Sequence, residues 1–173
     1  MRWRSGTPEE AARAVTLAPG ERILAAAQTP DGAWVVGTDR RLHLPSGAGA
    51  SGEGHVVVAW DHIDAATWHK DDSRLVVVTL PIGGQQPARY EVVLPQPGHL
   101  PELVRERVTS TILVSQHVPL VGRSGARIFG RRAPGSAEIV WTVVYDKGVD
   151  GNDPAIDDRL QDEFERLRAD LGV

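Results

Sequence analysis

The side chains best suited to chemistry crowd into residues 61–72, "DHIDAATWHKDD", where Asp61, His62, Asp64, His69, Asp71 and Asp72 stand together. Imidazole and carboxylate are zinc ligands and a common acid–base pair, so the segment could serve a metal-dependent enzyme. Its spacing argues for a plainer role. On an extended segment Asp61 and His62 point to opposite faces, while His62 and Asp64 share a face whose alternating polarity reads as the solvated side of a sheet. No His-Glu-x-x-His or related spacing occurs among the six histidines. No metal, catalytic set or cofactor is expected.

Three other motifs reduce in the same way. Gly47, Gly49 and Gly52 match Gly-x-Gly-x-x-Gly, but a dinucleotide site needs that motif to open a helix, and the "HVVVAW" that follows reads as a strand. Asp146, Asp150, Gly151 and Asp157 fall at four positions of a calcium loop. Gly148 stands where a third ligand belongs and no helix precedes, so a turn and a helix cap account for them. "GRSGA" (residues 122–126) lacks the last glycine of a nucleophile elbow.

Charge gives one further candidate. Residues 108–137 hold no Asp or Glu and four arginines, Arg123, Arg127, Arg131 and Arg132, whereas residues 147–173 hold eight acidic and four basic side chains. The arginines are a candidate anion-binding surface for nucleic acid or an anionic membrane. Only Phe129 is available for the base stacking common in single-strand binders, and alternation puts it on the face of Arg127 and Arg131. The plainer expectation is that the basic stretch and the acidic C-terminal helix face each other.

Composition bounds the rest. The 173 residues are 41% hydrophobic and 24% charged, enough for a folded core, with a net charge of −4. No cysteine is present, which excludes disulfides and thiolate metal sites and suggests a cytoplasmic setting. "MRWRSGTPEEAARAV" has no apolar h-region, so no secretory signal is expected. No apolar run reaches the ~18 residues of a membrane span. Seventeen arginines against two lysines reads as GC-rich coding rather than a function.

The elements that position these residues follow from period and punctuation. Thr7 caps, Pro8 starts, and Glu9 and Glu10 support a short N-terminal helix. "ERILAAAQT" suits either helix, by its alanines, or strand, by its neighbours. The "TPDG" turn leads to a strand over 33–38, with further strands over 41–44, 55–60, 63–70, 74–80 and 89–94. In the 41–44 strand Leu42 and Leu44 should point inward and His43 outward. Leu100, Leu103, Val104, Val108 and Ile112 form one helical stripe, whose β-branched end "TSTILVS" fades toward Val114. A hairpin over 126–133 and 138–146 follows. The last helix is capped by Asp153, begun by Pro154, striped by Ile156, Leu160, Phe164, Leu167 and Leu171, and stopped by Gly172. The hairpin and helix are too small for a core of their own.

Seven short antiparallel strands followed by one amphipathic helix resemble the pleckstrin-homology (PH) fold. "ERILAAAQTPDGAWVVGTDRRLHL", with its Thr38-Asp39-Arg40-Arg41-Leu42 corner, and "VAWDHIDAATW" are similar to bacterial PH-like and GRAM-like domains. The C-terminal hairpin and helix resemble an extension of actinobacterial proteins. The expected chain is α+β: after the N-terminal helical segment (1–19), the resemblance implies a seven-stranded open antiparallel barrel capped by a helix (20–114), and a hairpin–helix extension docked on it (115–173). It implies a non-enzymatic protein-interaction or scaffold module that engages a protein partner or its own copy through a strand edge or barrel rim. Phosphoinositide binding is not expected, because the first hairpin loop, "QTPDGA", carries an Asp and no base. Thr38 and Asp39 are expected to form a corner by bonding nearby amides, with one of Arg40 and Arg41 laid across the sheet.

Overall fold

Residues 9–48, 55–81 and 86–172 are described in a computed structural model of the chain. Thr7 and Pro8, Gly49 and Gly52 lie outside them. The tight turn after Gln28 starts the fold. Thr29 N–H donates to Ala33 O at 2.9 Å and Gly32 N–H to Thr29 O at 3.0 Å, with Gly32 at φ 85°, a value that disfavours any side chain. The turn pairs β1 (Ile23–Gln28) with β2 (Trp34–Thr38). The alanines of β1 do not make it helical: Ala25 and Ala27 face the core at 6% and 3% exposure, where packing overrides propensity. β3 (Arg41–Pro45) and β4 (His55–Ala59) complete a four-stranded antiparallel sheet in the order β1-β2-β3-β4.

A single 3₁₀ turn, Trp60–His62, leads into a second antiparallel sheet of β5 (Ile63–His69), β6 (Arg74–Thr79) and β7 (Arg89–Val93). The two sheets are separately hydrogen-bonded and do not close into a continuous barrel. Their inner faces meet in one core with Leu100, Leu103, Val104 and Val108 of helix α2 (Leu100–Thr111). Ile112, expected as the last member of that stripe, lies beyond the helix and is 37% exposed. A short helix α1 (Glu9–Ala14) contacts β2 and buries Ala11 completely.

The described chain divides into two compact units. The first ends at Thr111 and takes in Ala133–Ala137; the second holds Ile112–Arg132 and the residues from Glu138 onward. The fading of the helix toward Val114 is a change of element. β8 (Ile112–Val121) is a ten-residue strand that joins β9 (Ser124–Arg131) and β10 (Val140–Tyr145) in the order β10-β9-β8. The β-branched run that weakens a helix is the composition a strand favours. With this third strand the second unit has its own buried cluster, contrary to the sequence expectation: Val118, Ala126, Ile128, Ile156, Leu160 and Leu167. Helix α3 (Pro154–Leu171) closes it. Its N-cap Asp153 accepts from Ala155 N–H at 3.0 Å, and Gly172 ends it at φ 72°. Arg159 donates to the carbonyls of Pro119 and Leu120 at 2.8 and 3.0 Å, anchoring α3 on β8. Trp141 meets Phe164 edge-on with ring centroids 5.6 Å apart.

Candidate functional site

The corner between β2 and β3 is built on one hydroxyl. Thr38 Oγ1 accepts from Arg40 N–H at 3.1 Å and Arg41 N–H at 2.9 Å, fixing the reversal as Thr side chains do at turns. The Thr38 hydroxyl donates to Glu21 Oε1 at 2.7 Å. Glu21 Oε2 accepts from Ala18 N–H at 2.8 Å, and Arg41 Nε stands 3.0 Å from Oε1. Asp39 Oδ1 accepts from Arg22 N–H at 2.9 Å. The corner expected from the sequence is therefore present, with a buried carboxylate behind it that local pattern does not reveal. Trp60 completes it: the indole is fully buried and Nε1–H donates to Thr38 O at 3.0 Å.

These contacts set the charges. Burial would raise the Glu21 carboxyl, but the Thr38 hydroxyl, the Ala18 N–H and the Arg41 guanidinium together hold it below its ordinary 4.5. Asp39 is held below 3.8, first by the Arg22 N–H. His43 does not point to solvent as alternation suggested; it is 1% exposed. It shares the outer face of the sheet with Arg41, and Glu21 lies over that face, with His43 Nε2 3.6 Å from Oε1. Burial, only partly opposed by Glu21, lowers the imidazole below 6.5, so Arg41 rather than His43 balances the Glu21 charge at neutral pH.

Beside this network lies a concavity of about 450 Å³ lined by Arg40, Arg41, Asp61 and His62, by Val57 and Ala59 of β4, and by Ala133 and Pro134. Asp61 and His62 were expected on opposite faces of a strand. They sit instead in the 3₁₀ turn, which rotates adjacent residues by less than a strand does, and Asp61 Oδ2 lies 3.7 Å from His62 Nε2. The Asp61 side chain is 6% exposed and its Oδ1 is buried with no hydrogen-bond partner. The rest of the His/Asp segment disperses: Asp64, His69, Asp71 and Asp72 are exposed, and Asp72 pairs with Arg74 at 3.4 Å. Among the described residues no three His, Asp or Glu side chains gather closely enough to share a metal ion.

The remaining candidates take structural places. Asp146 Oδ2 accepts from Gly125 N–H at 2.7 Å and meets His117 Nε2 at 3.0 Å; these contacts, His117 first, hold its carboxyl below 3.8. Asp150 accepts from Asn152 N–H at 3.0 Å, and Asp157 is exposed in the first turn of α3. Of the four arginines, Arg123, Arg127 and Arg132 are exposed, Arg123 in the turn before β9. Arg131 is 2% exposed, and its guanidinium lies 5.4 Å from the centroid of the buried Phe129 ring. Sequence reasoning missed Glu21 and Trp60, whose partners lie 17 and 22 residues away; no local spacing announces either. No helix among the described residues is long and apolar enough to cross a membrane. No protein-family model, curated protein or solved structure matches the chain.

Proposed function

We propose that the chain is a cytoplasmic, non-enzymatic PH-like module that binds an extended segment of a protein partner. The four-stranded sheet, the three-stranded sheet and the following helix α2, sharing one core, support the PH-like reading. The observation that carries the binding role is the edge of β1. This strand ends its sheet, and His99, just before α2, meets it at Leu24 O at 3.2 Å. Further along, Ala26, Ala27, Gln28 and Thr29 line a concavity of about 340 Å³ with Trp34, Pro95 and Gln96. A strand edge presents main-chain donors and acceptors that an incoming strand satisfies, with an aromatic wall for its side chains.

The test places a photo-crosslinking residue at Gln28 in the full chain and maps the cross-linked peptides formed in native lysate. The expected product is one discrete partner segment. A synthetic copy of that segment should protect the outward amides of Ala26 and Gln28 from exchange and lose affinity about tenfold for Trp34→Ala. Cross-links scattered over many proteins, or no protection by the peptide, would dismiss the reading.

A further inference from the structure

We propose that the concavity formed by Arg40, Arg41, Asp61 and His62 binds a zwitterionic ligand of the α-amino-acid type, its ammonium on Asp61 and its carboxylate on the two arginines. This site is distinct from the β1 edge and does not depend on the PH-like reading. The Asp61 side chain is 6% exposed, yet Oδ1 has no hydrogen-bond partner and His62 Nε2 is 3.7 Å from the other oxygen. A carboxylate taken out of water without donors is costly, and Asp61 lines the concavity.

The arginines ask for the opposite charge. Arg41 commits Nε to Glu21 at 3.0 Å and stays a third exposed, which leaves its terminal nitrogens for a ligand; Arg40 is exposed. Guanidinium groups bind carboxylates through paired N–H donors. A simple anion would meet both arginines but also Asp61 and the Glu21 charge behind Arg41. A simple cation would meet Asp61 but also the two arginines that line the same concavity. Two positive and two negative side chains make a site that is neutral overall and polar within, and a molecule carrying both charges at short separation satisfies both ends. The volume of about 450 Å³ lies in the range of small-molecule sites and admits an amino acid with its side chain against Val57 and Ala59.

The experiment is a titration of the isotopically labelled full chain, by amide chemical shift, with the twenty free L-α-amino acids at millimolar concentration. N-acetyl derivatives, amino acid amides and inorganic phosphate are titrated in parallel. Saturable shifts confined to residues 40, 41, 61 and 62 are expected for one or more of the amino acids. Asp61→Asn and N-acetylation should each weaken binding by about tenfold or more without compounding each other, since both remove the same contact. Arg40→Gln, at an exposed position, should weaken binding similarly with an otherwise unchanged spectrum, and it serves if Asp61→Asn misfolds. Absence of saturable shifts across the panel overturns the proposal. So does phosphate binding that survives Asp61→Asn, which would make this a plain anion site.

Discussion

Glu21 shows how much one side chain can hold. Its two oxygens join the Ala18 amide, the Thr38 hydroxyl and the Arg41 guanidinium, so the segment before β1, the end of β2 and the start of β3 meet on one carboxylate. Removing one partner of a buried pair leaves the other uncompensated, at a cost of roughly 3–5 kcal/mol. Arg41 is a third exposed and recovers some solvation. Glu21→Ala should therefore destabilise the chain by about 3 kcal/mol, read as a lower urea midpoint with an unchanged slope. A loss below about 0.5 kcal/mol, the size typical of a surface substitution, would contradict the arrangement. The visible half of this site was the Thr-Asp-Arg-Arg corner, because side chain-to-backbone bonding there spans two or three residues. The hidden half was Glu21, because nothing in a one-dimensional pattern ties it to a hydroxyl 17 residues on.

Elements were legible where period and punctuation agreed. α3 has a cap, an N1 proline, a stripe and a terminal glycine, and its observed ends follow them. β8 was not legible, because Leu103, Val104 and Val108 set a helical stripe that Ile112 continues in register while the backbone changes to strand. His43 was misplaced for a related reason: alternation identifies the outer face of a sheet, not whether another segment covers it. Gly37, by contrast, marks the contact between elements. A Cβ there would stand 2.8 Å from Leu103 Cδ2 and 3.2 Å from Leu100 Cδ1. Gly37→Ala must displace the ends of the Leu103 and Leu100 side chains and should cost about 1–3 kcal/mol, the usual penalty for overpacking. Thermal unfolding checks this; a neutral or stabilising result would mean that α2 yields freely. In the second unit, Leu160 is 2% exposed within the cluster under α3. Leu160→Ala should cost about 2–5 kcal/mol, seen as faster amide exchange across β9, and unchanged exchange there would show that the cluster does not stabilise that sheet.

On the scale of the whole molecule the acid-side groups that depart from their ordinary values all shift in one direction. Glu21, Asp39, Glu91 and Asp146 all have carboxyls held below their ordinary values, and His43 has an imidazole held below 6.5. For each group the unfolded chain binds its proton at a higher pH than the folded chain does. Stability is thus fully present above the unfolded values and is lost as pH falls toward the folded ones. The histidine acts first: below 6.5 its unfolded imidazole takes a proton that the buried ring resists. The carboxylates act later, as pH falls below 4.5 for Glu21 and Glu91 and below 3.8 for Asp39 and Asp146. The urea midpoint should accordingly decline in two stages on acidification, shallow below 6.5 and steeper in the carboxylate range. His43→Gln cannot titrate, so it should abolish the shallow stage and leave the steep one. If the shallow decline persists unchanged in His43→Gln, another group produces it, and the covered outer face of the first sheet does not govern the acid response of this protein.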